Sequence, residues 1–120
     1  MCIRDSIRAV REAIGPDVVY KCIIETAIMS EKEIRDACEL LIEGGVDYIK
    51  TGTGTVGPTT LEHVKIIMDQ NKGRVKVKAA GGIRTLEMLD ELVDMGVARI
   101  GLGLSSAVRL VEEANKRAGK

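Results

Sequence analysis

One stretch of the sequence decides the fold, namely Val46-Asp47-Tyr48-Ile49-Lys50-Thr51-Gly52-Thr53-Gly54. In it, a short apolar strand ends in a lysine and runs directly into a glycine-rich turn. The same arrangement returns in Arg74-Val75-Lys76-Val77-Lys78-Ala79-Ala80-Gly81-Gly82. A helical pattern separates the two stretches, as expected for parallel strands joined by crossover helices. Proteins of this class place their chemistry at the carboxyl ends of the strands, so both lysines lie where a functional site is expected.

Strands and helices alternate along the whole chain, which predicts a parallel sheet covered by helices. The expected strands are Val18–Ile24, Val46–Lys50, Arg74–Lys78 and Val97–Gly101. The expected helices are Ile7–Ile14, Ser30–Glu43, Thr59–Gln70, Thr85–Met95 and Ser105–Ala118. Ser30 with Glu33, and Thr59 with Glu62, have the spacing of helix-capping boxes.

These segments make four βα units with a period of about 25–30 residues, and a complete (β/α)8 barrel has about 250 residues. The 120 residues therefore predict a single α/β domain, residues 1–120, that forms about the second half of such a barrel, strands five to eight with their helices. An open four-stranded sheet is the alternative, although it leaves strand edges unpaired. Residues 1–6 show no strand or cap pattern, and we interpret them as non-native, a remnant of cloning or sequence assembly, with the native protein beginning upstream.

Composition excludes several classes of function. The chain has 18 basic and 18 acidic residues, two tyrosines, and no tryptophan or phenylalanine, whereas nucleic-acid binding usually needs a positive face and aromatic platforms. No apolar run approaches the roughly 20 residues of a membrane span. The three cysteines form no CxxC pair, which is typical of a reducing compartment. We expect a cytoplasmic protein without nucleic-acid or membrane partners.

Lys50 and Lys78 occupy the same place on neighbouring strands, which lie about 4.8 Å apart in a sheet. At roughly 5 Å and an effective dielectric near 20, two ammonium groups repel each other by about 3 kcal/mol. This repulsion favours a free amine on one of them, the nucleophile that Schiff-base chemistry needs. The residues themselves do not say which one. The plainer interpretation is a strand-end lysine that reaches solvent.

Glu25 follows the first strand and Lys76 shares a face with Lys78, so we expect Glu25 to reach one of the lysines as a supporting ion pair. A purely structural ion pair is the alternative. Two further loops favour a phosphate, since Ala80–Arg84 and Gly101–Ser106 combine glycines with a helix start. His63 has no partner at ligand spacing, and no metal site is expected.

Together these residues resemble deoxyribose-phosphate aldolases, class I aldolases of barrel fold. The likeness extends from about Val18 to Glu113. The segments that carry it are Ile23–Thr26, Ile34–Ala37, Asp47–Gly54, Lys76–Thr85 and Ile100–Ser106.

The resemblance implies that Lys50 is the Schiff-base lysine and Lys78 the second lysine that activates it. It also implies a substrate-phosphate pocket, lined by Thr51, Gly52, Gly81, Gly82, Gly103, Ser105 and Ser106. The implied reaction is reversible cleavage of 2-deoxy-D-ribose 5-phosphate to D-glyceraldehyde 3-phosphate and acetaldehyde, without a metal or organic cofactor.

The chain also departs from the family pattern. No residue matches the aspartate that the family places beside the two lysines, and the family's first four strands are absent, so we expect little or no turnover from this chain alone. Three alternatives stay open: a phosphosugar-binding module without catalysis, a Schiff-base aldolase of another phosphorylated sugar, and a homo-oligomer in which exposed barrel edges pair as half-barrels.

Overall fold

A computed structural model describes residues 2–120. The elements in chain order are α1 (Ile3–Ile14), β1 (Lys21–Ile23), a 3₁₀ turn (Thr26–Ile28), α2 (Glu31–Gly44), β2 (Tyr48–Lys50), α3 (Leu61–Asn71), β3 (Lys76–Ala80), α4 (Leu86–Asp94), β4 (Arg99–Gly101) and α5 (Leu104–Arg117). The four strands are parallel and lie in the order β1-β2-β3-β4. The predicted α/β architecture is therefore confirmed.

The helices cover one face of the sheet. Cys22, Ile49 and Val77 stand in register across β1, β2 and β3 and pack into a core with Ile34, Cys38 and Leu41 of α2 and Ile66 and Ile67 of α3. A second cluster joins Ala79 of β3 to Val64 of α3 and Leu92 of α4. Side chains alternate between the faces of a strand. The residues between these apolar positions therefore point away from the helices.

The opposite face of the sheet is uncovered, as in a barrel opened along its length. Ile23 is 45% exposed on this face, and Lys76 and Arg99 are exposed as well. The radius of gyration, 15.3 Å, exceeds the about 13.6 Å typical of a closed domain of this size. The molecule is thus one layer of parallel strands with a layer of helices on one side.

One of the two predicted capping boxes is confirmed, and the other is not. Ser30 and Glu33 form the expected capping box of α2, and Thr85 accepts the Met88 N–H at the start of α4. At α3 the cap prediction was wrong. Thr60 is the cap, and His63, rather than Glu62, completes the box by accepting the Thr60 N–H through Nδ1.

The interpretation of residues 1–6 as lacking a cap pattern was also wrong over the described part. Helix α1 begins at Ile3, because Cys2 acts as its N-cap and accepts the Asp5 N–H through Sγ at 3.4 Å. The Ser6 N–H donates to the Cys2 carbonyl. Met1 lies outside the described residues.

Two strands have bounds that differ from those expected, one because of exposure and the other because of hydrogen bonding. Strand β1 is shorter than Val18–Ile24, since Val18 and Val19 are exposed before it begins. Strand β3 extends two residues beyond Lys78, because Ala80 pairs with Gly101 and donates its N–H to the Thr51 hydroxyl. Helix α5 runs from Leu104 to Arg117, one residue earlier at each end than expected.

Candidate active site

Lys50 and Lys78 face each other across two adjacent strands. They are register partners of β2 and β3, and both side chains are half-buried on the face turned away from the helices. Lys50 is the last residue of its strand. The sheet therefore brings the two predicted catalytic lysines together at its carboxyl end.

A glycine on β4 makes the space that Lys78 occupies. A Cβ placed on Gly101 would lie 3.2 Å from Lys78 Cε and 2.9 Å from Ala80 Cβ. Contacts this short are not tolerated without movement of a neighbour. The absence of a side chain at Gly101 therefore lets Lys78 extend along the sheet towards the cleft.

Both lysines open into a cleft with a volume of about 1360 Å³. Its walls are the loop after β2, the loop after β3, and the loop that joins β4 to α5. Arg84 and Arg109 also line it, and among the described residues no Asp or Glu does. A cleft with four cations and no carboxylate in its lining favours an anionic ligand.

Backbone conformation at two glycines shapes the loop after β3. Gly81 and Gly82 have φ values of 101° and 73°, which residues with a side chain rarely adopt. A Cβ on Gly81 would lie 2.8 Å from the Gly54 nitrogen, and one on Gly82 would lie 2.8 Å from Pro58 Cβ. The loops after β2 and β3 thus meet through bare backbone, which leaves their amides accessible to a ligand.

The third wall is the start of α5. Its N-cap is Gly103, which offers no side chain to satisfy the first amides, and Ser105 and Ser106 lie in the first turn. Unsatisfied N–H groups and the helix dipole favour an anion at such a position. The structure therefore brings Gly52, Gly81, Gly82, Gly103, Ser105 and Ser106 to one cleft.

Thr51 departs from this prediction, because its side chain does not line the cleft. It is fully buried, with its hydroxyl 2.8 Å from the Thr59 hydroxyl. Each hydroxyl lies within donor distance of the Ala80 carbonyl, at 2.8 and 2.5 Å. Sequence reasoning missed Thr59 in this role. The two threonines fasten the end of β2 to the end of β3 beneath the lysines.

The predicted ion pair between Glu25 and a lysine does not form among residues 2–120. Glu25 instead accepts the Thr53 N–H through Oε1 at 3.0 Å, while its Oε2 is buried without a hydrogen-bond partner. Lys76 lies level with Lys21 across the sheet. Lys21 in turn precedes Glu25 by four residues, which span about 13 Å in an extended chain. Lys76 therefore lies at the other end of the sheet, with its Nζ 5.7 Å from the centroid of the Tyr48 ring.

Glu25 has a left-handed backbone, with φ 57° and ψ 62°. This conformation is uncommon for a residue with a side chain and costs about 1–3 kcal/mol. It turns the chain off β1, and the carboxylate reaches over the loop that follows Lys50. Glu25 therefore holds the loop beside the lysine in place.

No group of three His, Cys, Asp or Glu side chains in residues 2–120 is arranged to hold a metal ion. His63 belongs to the cap of α3. Within the same residues, no helix combines the length and the apolar character needed to cross a membrane.

Comparison with known proteins identifies the family. Residues 13–107 match the model of the DeoC/LacD family of aldolases. The chain belongs to this family. It is 46% identical to a deoxyribose-phosphate aldolase of Sinorhizobium medicae over 112 residues, which cover 92% of this chain and 45% of that protein. The chain spans about half the length of the curated relatives it matches.

Solved structures of family members agree with the fold. The aldolase QR15 superposes with a TM-score of 0.85 and 42% identity over 97% of this chain and 52% of the other. A tetrameric deoxyribose phosphate aldolase of Aeropyrum pernix superposes with a TM-score of 0.81 and 27% identity, over 93% and 48%. The four βα units therefore correspond to about half of an aldolase barrel, as predicted.

Proposed function

We propose that this chain carries the Schiff-base lysine and the phosphate site of a deoxyribose-phosphate aldolase. The observation that carries the proposal is the register pair Lys50 and Lys78, which opens into a cleft lined by cations, glycine-rich loops and a helix start. The substrate is 2-deoxy-D-ribose 5-phosphate. The products are D-glyceraldehyde 3-phosphate and acetaldehyde.

In the proposed reaction, Lys50 attacks the aldehyde carbon of the open-chain sugar, and loss of water leaves an iminium ion. The bond between C2 and C3 then breaks as its electron pair moves towards the iminium nitrogen. The C3 hydroxyl gives up its proton and becomes the aldehyde of glyceraldehyde 3-phosphate. The remaining enamine takes a proton at C2, and hydrolysis releases acetaldehyde and restores the amine.

Lys78 is the second lysine of the proposed mechanism. It stands opposite Lys50, and the space above Gly101 directs it towards the same cleft. In this proposal it activates Lys50, as the resemblance to the family implies. Both lysines lie in reach of one bound sugar.

The phosphate binds at the far wall of the cleft in this proposal. The loop of Gly81 and Gly82 and the first turn of α5 offer backbone amides, with hydroxyls at Ser105 and Ser106. Arg84 and Arg109 add positive charge at the rim. A phosphorylated sugar of the cytoplasm is therefore the proposed substrate, and no cofactor is needed.

Trapping with borohydride tests the proposal. We expect 2-deoxy-D-ribose 5-phosphate to leave a reduced adduct, detected by intact mass and mapped to Lys50. The adduct should disappear in Lys50→Met and persist in the control Lys65→Met, which removes an exposed lysine of α3. Trapping should be weaker with unphosphorylated 2-deoxyribose and should fall when inorganic phosphate competes.

Other outcomes would select other functions. An adduct spread over surface lysines, unchanged in Lys50→Met, would contradict the proposed nucleophile. Binding of the phosphosugar without any adduct would favour a binding module. Faster trapping with a different phosphorylated sugar would change the substrate but keep the chemistry. We expect turnover by this chain alone to stay below about 1 per second, the lower end of ordinary enzymes.

A further inference from the structure

Glu25 has two features that are unfavourable for folding. Its φ is 57°, and Lys72, with φ 50°, is the other non-glycine residue of 2–120 with a positive φ. Lys72 ends α3, where such a backbone is common, whereas Glu25 precedes a 3₁₀ turn without capping it through its side chain. In addition, Glu25 Oε2 is buried and has no hydrogen-bond partner within residues 2–120. Strained residues and unpaired buried polar groups are typical of functional sites.

The backbone on both sides of Glu25 is bonded to the end of β2. The Ile24 N–H donates to the Lys50 carbonyl at 3.1 Å, and the Thr26 N–H donates to the Thr51 carbonyl at 2.9 Å. These two bonds fix the chain before and after Glu25, so the left-handed backbone between them sets the direction of its carboxylate. The strained residue therefore lies beside the proposed nucleophile, Lys50.

The Glu25 carboxylate reaches the loop that follows Lys50. Its Oε1 accepts the Thr53 N–H at 3.0 Å, and its Oε2 lies 3.4 Å from the position that a Cβ would take on Gly52. Gly52, Thr53 and Gly54 all line the cleft, whereas Glu25 does not. The carboxylate therefore supports this wall of the cleft from behind.

Displacement of this loop would disturb the phosphate side of the cleft more than the lysine. Lys50 is fixed by its pairing with β3, whereas Thr53 lies three residues beyond the strand. The loop also meets the loop after β3, since a Cβ on Gly81 would lie 2.8 Å from the Gly54 nitrogen. Backbone amides bind an anion only where they point at it together. Loss of the carboxylate is therefore expected to weaken phosphate binding.

We propose that Glu25 is a positioning residue for the phosphorylated substrate. Its carboxylate holds residues 51–54 through the Thr53 amide, so that the amides of this loop and the amine of Lys50 meet one bound sugar. Glu25 acts on the phosphate end of the substrate and not on the reacting carbon. The identity of the substrate rests on the proposed function, whereas the hold on the loop is a property of this chain by itself.

Glu25→Gly tests the proposal, because glycine adopts a left-handed backbone without strain but brings no carboxylate. The urea midpoint of this variant should stay close to that of the parent. Its half-saturating concentration of 2-deoxy-D-ribose 5-phosphate in borohydride trapping should rise about 5-fold, as expected for one lost hydrogen bond. Trapping of acetaldehyde, which has no phosphate, should stay within about 2-fold. Hydrogen exchange at the Thr53 amide should become about 10-fold faster.

Two further variants separate the carboxylate from the backbone. Glu25→Gln keeps an oxygen of the same reach to accept the Thr53 N–H, so its half-saturating concentration should stay within about 2-fold of the parent's. Lys72→Gly relieves the other positive φ at an exposed residue and should change neither phosphosugar binding nor exchange at Thr53. If Glu25→Gly unfolds, Glu25→Asn replaces it with the same expectations, since asparagine tolerates this backbone and is too short to reach the amide.

Three results would overturn the positioning role. They are unchanged exchange at Thr53 in Glu25→Gly, an equal loss of phosphosugar binding in Lys72→Gly, and an equal loss of acetaldehyde trapping in Glu25→Gly. A parent chain that forms no adduct would contradict the proposed function alone. In that case, faster exchange at Thr53 and about 5-fold weaker binding of inorganic phosphate by Glu25→Gly in titration calorimetry would still support the role of Glu25.

Discussion

Gly101 shows how a residue without a side chain makes room for the side chain of a neighbour, Lys78, to which we assign a role in the proposed reaction. It lies on β4, and Lys78 Cε occupies the volume next to its Cα. The direction of the Lys78 side chain therefore depends on the missing side chain of Gly101 as well as on the backbone of β3.

Gly101→Ala should therefore harm both stability and the lysine pair. The new methyl group would lie 2.9 Å from Ala80 Cβ and 3.2 Å from Lys78 Cε, so we expect a loss of about 1–3 kcal/mol, as for overpacked cores. Urea unfolding measures the loss, and the rate of borohydride trapping reports the displaced lysine.

Gly103→Ala is the matched control, because nothing lies within 4 Å of a Cβ placed there. Because Gly103 is the N-cap of α5, where Ala is less favourable than Gly, its free energy of unfolding should fall by at most about 1 kcal/mol, partly offset by the lower entropy of the unfolded chain. Equal losses of unfolding free energy in Gly101→Ala and Gly103→Ala would contradict the idea that Gly101 is needed to leave space for Lys78.

The adjacent threonines 59 and 60 show what the sequence could not resolve at this scale. Both precede a helical pattern, and either could cap it. Burial decides between them, since Thr59 is 3% exposed and bonded to Thr51, while exposed Thr60 serves the helix. The positions of the lysines were predictable because each follows a short apolar run and precedes a glycine-rich turn, whereas the contact between two buried hydroxyls depends on two loops that meet only in the folded chain.

At the scale of elements, one arginine fastens α1 to the sheet. Arg11 donates to the carbonyls of Gly45, Gly15 and Val18 at 2.8, 3.0 and 2.9 Å. It also donates to the Asp47 carboxylate, which accepts the Tyr20 amide. That amide, and then Arg11, lower the pKa of Asp47.

Arg11→Lys should weaken this attachment, because an ammonium group cannot reproduce the planar fork of a guanidinium. We expect a loss of about 2–3 kcal/mol, typical of hydrogen bonds to charged groups left unmade. Hydrogen exchange should rise first in α1.

Arg8→Lys on the same helix is the comparison, since the Arg8 side chain makes one hydrogen bond within residues 2–120, to the Glu43 carbonyl at 3.5 Å. Similar losses of stability in Arg11→Lys and Arg8→Lys would contradict this role of Arg11 and would mean that packing of the apolar face of α1 holds the helix in place.

Elements were predicted well where a signal is local. Ser30, Glu33 and Gly45 mark both ends of α2 within the sequence itself. Strand bounds were predicted less well, because they depend on pairing with the neighbouring strand, as at the end of β3, where Ala80 pairs with Gly101. The Glu25–Lys76 pairing failed for the same reason, since it depends on register and not on proximity along the chain.

At the scale of the whole molecule, salt bridges join successive βα units. They also make the free energy of unfolding depend on pH. The Arg74 guanidinium lowers the pKa of Glu39 to about 2, from an ordinary value of 4.5. Likewise, Arg117 lowers the pKa of Asp90. A carboxyl with a lowered pKa contributes stability above its unfolded value, and the contribution is lost as pH falls through the folded value.

The free energy of unfolding should therefore decline as the pH falls from about 4.5 to about 2. In Glu39→Gln the decline should be shallower, since that variant has no carboxyl to protonate. Urea unfolding at a series of pH values measures both curves. Glu112→Gln removes an exposed carboxylate of α5 that makes no salt bridge within residues 2–120, and a curve as shallow as that of Glu39→Gln would contradict the assignment.

The overall architecture was easier to predict than the details of residues or elements. Four repeats of the same strand–helix pattern all indicate one parallel sheet covered by helices. The grouping of Lys21, Lys76 and Arg99 around the Tyr48 ring was not predicted. Lys21 and Arg99 stand far apart in the sequence, and their approach to Tyr48 follows only from strand register.

The order of the strands, β1-β2-β3-β4, also bears on how the chain is made. Strands β2, β3 and β4 each pair with the strand synthesised just before them, so each of these units leaves the ribosome beside a partner that has already been made. Contacts that are short in sequence form quickly, and domains commonly begin to fold from the amino terminus during translation. The sheet can therefore grow in the direction of synthesis, with the newest strand always at its growing edge.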